Sequence, residues 1–391
     1  MKNYSFYSVF IKTLSLTVFL LSQSIVSAQV TLSHAKNGIP GQQEGFFYSL
    51  PQTVLKVDFI LKKTNHTAGP YSSFATRMLG VEDFVQNDHT SYEIVDAIVG
   101  SVTEPDSKAV FFVRFDERAA KDAASIIFSQ QPNGILLGAG DAVKAANSGV
   151  ENIEKLLVNA PDEKRFSYYA ERNLYRRIDT IIRNITIDTT IIKRPVLHAS
   201  WVDRTPEQKA RAAADYIQTI RESRYNLISG YQEINYGQTM VYMDQQLKQL
   251  EEAYLSLFLG QEHSTLEEFT VYFTPQKNDE GIKQIARFSD ETGIQLSGSK
   301  GTPLQLELIA AGNTKSIPSV DENSLESVTV INSMIYRIAE TVEIRVTYQG
   351  RLLAQDRLPI SQMGAIAVAP LNRTKLTFDP NTGQVIQLKR D

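Results

Sequence analysis

Apolar residues recur at helical spacing over two long stretches in the middle of the chain. Ala210, Ala213, Ile217, Ile220 and Leu227 fall on one stripe, interrupted by Arg224. Met240, Met243, Leu247, Leu250, Tyr254 and Leu257 repeat at alternating steps of three and four. The start of the first helix is written as Thr205-Pro206-Glu207-Gln208: a hydroxyl at the N-cap, proline at the first helical position, and Gln208 where a capping box places Glu or Gln. Gly230 and Gly260 supply the stops. At 1.5 Å per residue the two helices are roughly 36 Å and 32 Å long, matched well enough for an antiparallel pair over 205–260 that buries both stripes.

Before and after this pair the pattern changes to β-sequence. Phe46 to Leu50 leads into the run Val54-Leu55-Lys56-Val57-Asp58-Phe59-Ile60-Leu61, which reads as a strand entering a sheet. Gly69-Pro70-Tyr71 opens a short helix through Phe74, Ala75 and Met78 to Leu79, ended by Gly80. Tyr92, Ile94, Ile98 and Val102 share one parity, as do Phe111, Val113 and Phe115, which predicts two strands with Glu104-Pro105-Asp106 as the turn. A strand over Gly134–Leu137 precedes small and charged residues read as a mobile loop, 141–165. Dense isoleucine from Leu174 to Ile192 reads as strand within 166–204.

The C-terminal part gives short strands and then two hairpins. Val342, Ile344, Val346 and Tyr348 stay on one face with Leu352, Ala354, Leu358 and Ile360 if Gln349-Gly350-Arg351 forms a three-residue turn with a bulge. Leu376 and Phe378 join Ile386 and Leu388 through the five residues Asp379 to Gly383 by the same argument. The fold class is therefore α+β: two β-rich units with antiparallel sheets, an N-terminal one over 29–140 and a C-terminal one over 261–391, bracketing a central antiparallel helical hairpin. Tyr48-Ser49-Leu50-Pro51-Gln52-Thr53-Val54 is echoed by Tyr336-Arg337-Ile338-Ala339-Glu340-Thr341-Val342, which marks either two related β-units or two strands entering sheets.

Residues 1–28 have the pattern of a signal peptide. Lys2 and Lys12 precede the apolar run Leu14–Leu21, and Val26-Ser27-Ala28 offers the small residues a signal peptidase reads, so cleavage is expected between Ala28 and Gln29. The run is broken by Ser22, Gln23 and Ser24, short of the ~20 apolar residues of a membrane span. Loss of the two lysines takes the formal charge from −4 to −6, the opposite of the basic excess that nucleic-acid binding requires. The absence of cysteine removes disulfides, thiolate chemistry, cysteine metal sites and a lipid-modified cysteine anchor. Export without cystines suits a bacterial periplasm or cell exterior.

Candidate chemistry is sparse. His34, His66, His89, His198 and His263 never fall at metal-ligand spacing and read as loop or surface residues. Gly138-Ala139-Gly140 lacks the third glycine of a dinucleotide site, and no phosphate-binding loop occurs, so no cofactor is expected. Ser297-Gly298-Ser299-Lys300 matches the Ser-x-x-Lys of serine acylases but sits in a glycine-rich turn. Glu251-Glu252 and Glu267-Glu268 are adjacent rather than opposed, and the first pair is read as a solvated helix face. Trp201, Tyr231 and Tyr236 are candidate contacts for a glycan or a partner, with the competing reading that Trp201 staples the helix start and the tyrosines cap the hairpin end. Thr180 and Thr189 follow aspartates in Asp-Thr-apolar triplets that resemble an O-glycosylation signal of exported bacterial proteins; the alternative is a wet strand edge.

Tyr48-Ser49-Leu50-Pro51, Gly69-Pro70-Tyr71 with Leu79-Gly80, the two Asp-Thr pairs, Leu257-Phe258-Leu259-Gly260, Tyr336-Arg337-Ile338, Gln362-Met363-Gly364 and Phe378-Asp379 with Thr382-Gly383 together resemble an exported family of Gram-negative gut bacteria described as domain of unknown function 4831. The chain departs at Ala339, where the family pattern has proline. The resemblance implies export and supplies no activity and no catalytic residues. The functional expectation is a non-enzymatic binding or assembly module of the cell envelope, with an envelope protein or glycan as partner. The alternative is a glycan hydrolase whose carboxylates meet only in the fold. N-terminal sequencing of the exported protein is expected to begin at Gln29, and an intact Met1 would contradict the export reading.

Overall fold

The computed structural model describes residues 30–37, 44–115, 127–139, 166, 172–187, 190–229, 237, 239–371 and 374–390. The expected signal peptide, with Ala28 and Gln29, the expected loop at 141–165, and Thr189, Gly230, Tyr231 and Tyr236 lie outside them.

In chain order the strands are β1 (Val30–His34), β2 (Gly45–Thr67), β3 (His89–Phe115), β4 (Phe128–Gln130), β5 (Leu136–Ala139), β6 (Leu174–Ile187) and β7 (Thr190–Asp203), with the short helix α1 (Ala75–Leu79) between β2 and β3. The helical hairpin α2 (Pro206–Ser229) and α3 (Thr239–Leu259) follows. After it come β8 (Gln261–Phe273), β9 (Gly281–Ser289), β10 (Gly293–Gln295), β11 (Thr302–Ala310), β12 (Thr329–Ile331), β13 (Ser333–Tyr348), β14 (Arg351–Pro370), β15 (Thr374–Phe378) and β16 (Val385–Arg390). The chain is thus α+β, its sheets antiparallel and its helical hairpin central.

The strands form sheets of order β12-β1-β3-β2-β8, β10-β9-β11-β13-β14 and β16-β15-β5-β4, with β6 and β7 paired only to each other. Strands from both sides of the hairpin share these sheets. β8 pairs with β2, β12 with β1, and β15 with β5. Two long hairpins, β2–β3 and β13–β14, run through two successive hydrophobic cores. At one end Leu55, Val57, Phe59, Ile94 and Val99 face Leu304, Leu306, Val342, Ile344 and Val346. At the other Leu32, Tyr48, Phe111 and Val113 meet Ile335, Ile366, Leu376 and Phe378.

Both hairpins are interrupted at the junction in the same way. In β2–β3, Ser49 pairs with Val110 and Pro51 with Pro105, so Leu50 stands against four residues, 106–109. In β13–β14, Ile338 pairs with Ala365 and Glu340 with Ile360, so Ala339 stands against four, 361–364. Residues 104–106 are therefore not a turn between two strands. They enter a wide bulge inside one strand of 27 residues. The sequence echo lies at these bulges but one residue out of step, since it matches Leu50 to Ile338 whereas the bulges match Leu50 to Ala339. A one-residue slip exchanges the two faces of a strand, so the echo is not the structural correspondence.

Each bulge leaves backbone groups without ladder partners, and each hairpin satisfies the other. The Gln362 amide accepts from Thr53 N at 2.9 Å and donates to Thr53 O at 2.7 Å and Pro275 O at 2.9 Å. Arg337, 1% exposed, donates to Pro51 O at 2.7 Å and to Asp106 Oδ2 at 2.6 Å. The Tyr48 hydroxyl, whose acidity burial suppresses, donates to Ile335 O at 3.1 Å. Gly364 is required here, because a Cβ would lie 1.9 Å from Ile338 O. Beside this seam Glu340 is buried and accepts from Asn313 N, Thr314 N and the Thr314 hydroxyl at 2.9, 2.9 and 2.5 Å. Burial alone would raise its carboxyl; the donors outweigh it and hold the carboxyl below the usual carboxylate range.

Bulges also correct three face assignments. An extra residue at Val95 puts Ile94 in the core opposite Leu61 and sends Ile98 and Val102 to the outer face, 41% and 42% exposed. The turn after Tyr348 has two residues, Gln349 and Gly350, both at positive φ (51° and 79°), and a bulge at Leu353 restores the parity. Leu352 is consequently outside and Leu353 inside. In β16, Val385 rather than Ile386 packs inward opposite Phe378.

Arg337→Met is expected to lower stability in urea denaturation by about 3–5 kcal/mol, because it strands a buried carboxylate; adding Asp106→Leu should recover part of that loss. Glu340 sets a pH dependence. Its folded pKa lies below the unfolded value, so its contribution is present above the unfolded value and is lost as pH falls through the folded one. Melting temperature should fall between about pH 5 and pH 3 in the parent, and less steeply in Glu340→Gln.

Candidate functional site

The helical hairpin is anchored at its base. Thr205 and Gln208 form the expected capping box, with Thr205 N donating to Gln208 Oε1 at 3.1 Å and Gln208 N to Thr205 Oγ1 at 3.3 Å. Ala210, Ala213 and Ile217 of α2 pack on Tyr254, Leu257 and Phe258 of α3 and on Tyr71 and Ala75. Tyr71 N donates to Leu257 O at 2.8 Å and Val85 N to Leu259 O at 2.9 Å, so the segment between β2 and β3 grips the end of α3.

Away from the base the packing loosens. The expected inward residues Met243, Leu247 and Leu250 are only half-buried, and Met240 is exposed. Arg224, which interrupts the apolar stripe, bridges the helices to Asp244 at 3.0 Å and Glu251 at 2.8 Å, and Arg221 adds a 2.7 Å contact to Glu251. Glu251 is therefore not on a solvated face. Burial would raise its carboxyl, but the two guanidinium groups hold it below its ordinary value. Glu267 pairs with Lys63 at 3.0 Å, and alternation on β8 sends Glu268 to the opposite face. Neither glutamate pair is arranged as an opposed acid and base.

The histidines take structural places. His34 is a buried strand residue rather than a surface one: its Nε2–H donates to Lys108 O at 2.9 Å and its Nδ1 accepts from Lys36 N at 3.2 Å. His66 and His89 stack with centroids 4.3 Å apart, and His66 also contacts Glu262 and Ser91. Among the described residues no three His, Cys, Asp or Glu side chains are placed to hold a metal ion. Ser297–Lys300 lies in the loop between β10 and β11. Among the described residues, no helix is long and apolar enough to cross a membrane.

The unusual surface belongs to β6 and β7. Their β-branched residues pair without interruption from Leu174 opposite Asp203 to Ile187 opposite Thr190, giving a ribbon of roughly 46 Å at 3.3 Å per residue. It meets no other described element over more than a few residues. The carbonyl of Asn173 accepts from Arg204 N at 2.8 Å and ties the ribbon's base to the start of α2. Residues opposite each other share a face. One face carries Leu174, Ile178 and Ile182 on β6 with Ile191, Leu197 and Trp201 on β7, all between 48% and 72% exposed. On the other face Tyr175, Asp179, Val196, Ser200 and Val202 are half-buried, while Ile181 and Ile185 are exposed. Trp201 does not staple the helix start; it stands 70% exposed opposite Arg176. Thr180 is exposed in the middle of the apolar face, opposite Leu197. Periodicity alone could not reveal this, because a strand whose apolar residues lie outward has the same alternation as one packed inward.

A family model described as Domain of unknown function (DUF4831) matches residues 44–171 and 183–386. No curated protein and no solved structure matches the chain.

Proposed function

The chain belongs to the family described as domain of unknown function 4831, a membership that fixes no activity, and from its geometry we infer a non-enzymatic binding or assembly module of the bacterial cell envelope, exported by cleavage after Ala28. The observation that carries this reading is the ribbon face of Leu174, Ile178, Ile182, Ile191, Leu197 and Trp201. A contiguous apolar strip held out from the body costs solubility and contributes nothing to the two cores; such strips serve as contact surfaces for other proteins. The tip of the helical hairpin repeats the feature on a smaller scale, with Tyr225 and Val241 70% and 71% exposed. Export supplies the compartment, and the seam of Arg337 and Gln362 supplies a stable body from which the arms extend.

A photo-cross-linking amino acid at Leu197 is expected to give one discrete protein adduct in the envelope of producing cells. The same group at Ile282, exposed on the body, should give none. Absence of any adduct at Leu197 would refute the reading.

A further inference from the structure

We propose that the apolar face of the β6–β7 ribbon is covered by the same face of a second copy of this chain, the two ribbons lying face to face and reversed about a two-fold axis. The proposal rests on the preceding reading and names its partner.

Three features of the ribbon point to a second copy. The first is stability. A lone two-stranded ribbon is marginal in water, whereas two ribbons stacked at about 10 Å form a four-stranded sandwich with a shared interior. The second is area. Five large side chains, Leu174, Ile178, Ile182, Leu197 and Trp201, at 48–72% exposure present on the order of 500–600 Å² per ribbon, at the low end of a specific interface.

The third is charge placement. On this face Asp203 and, two residues up on the neighbouring strand, Arg176 lie toward the base and Lys193 lies near the tip of β7, all exposed, while the middle, made of Ile178, Thr180, Leu197 and Ala199, carries no charge. Reversal about the level of the Asp179–His198 pair sets each Asp203 against the partner's Lys193, Trp201 against the partner's Pro195, and the aliphatic stem of Arg176 against the partner's Ile182, with its guanidinium free to reach the ribbon edge. The two ion pairs then bracket an apolar centre, the usual arrangement of a core and rim. A two-fold contact requires a surface to complement itself, and Asp203 and Lys193 at the two ends of β7 do so in the reversed orientation. That orientation also leaves the two bodies at opposite ends of the paired ribbons. Thr180 falls at the centre, so a sugar on it would exclude the pairing.

The test is sedimentation velocity of the exported protein from ~1 to ~100 µM, with Thr180 shown bare by mass spectrometry. The parent should sediment as a dimer in this range. Leu197→Lys should raise the dissociation constant by about 100-fold or more, with the melting temperature of the body unchanged. Lys193→Asp and Asp203→Lys should each weaken the dimer by about tenfold, and the two together should restore it. A parent that stays monomeric, a dimer indifferent to Leu197→Lys, or a charge exchange without rescue would overturn the pairing. A monomer that still gives the discrete Leu197 adduct with another protein refutes the second copy alone. A monomer without an adduct refutes the binding reading as well.

Discussion

The body depends on the buried contact in which Arg337 holds Asp106 and the carbonyl of Pro51. The long hairpins β2–β3 and β13–β14 are each interrupted where one residue faces four. Open backbone groups in a protein interior are costly unless they find partners. Here Arg337 and Gln362 from the C-terminal hairpin serve the N-terminal one, and Tyr48 reaches back to Ile335. Neither hairpin can close its interior without the other, so segments separated by nearly 300 positions form together. A buried ion pair is a weak source of net stability. Its physical role here is to fix the register between two hairpins that hydrophobic contacts alone would let slide.

With the body locked, the arms are free of structural duty. The helical hairpin is gripped at its base, through Tyr71 with Leu257 and Val85 with Leu259, and its outer part is held by the ion pairs of Arg221 and Arg224 with Asp244 and Glu251. Among the described residues the ribbon's base is tied by the backbone bond of Arg204 to Asn173, beside its own ladder. Among the described residues the apolar face of the ribbon packs on neither of the two cores.

Several of the stretches that carry the family resemblance come together in space. Tyr48–Pro51, Tyr336–Ile338 and Gln362–Gly364 meet in the seam, and the space for a Cβ at Gly383 is filled by Pro51. Gly69–Tyr71 lies against Leu257–Gly260 at the root of the hairpin. These stretches mark the construction of the body and the attachment of an arm. Among the described residues of these stretches, Thr180 alone lies on the apolar face of the ribbon.

Local chemistry was enough to determine the helices. The capping box at Thr205, the stop at Gly260 and the alternation of three and four express contacts within a few residues, which the chain carries in its own order. Strand regions were readable for the same reason. Which face of a strand was buried was readable only until a bulge intervened, as at Val95 and Leu353, because one inserted residue reverses every later side chain. The pairing of β1 with β12, the service of Arg337 to Asp106, and the outward placement of Trp201 and Leu197 were decided by tertiary structure alone. Each depends on a partner, or on the lack of one, far away along the chain, and an alternating pattern records that a strand has two unlike faces without recording what either face will touch.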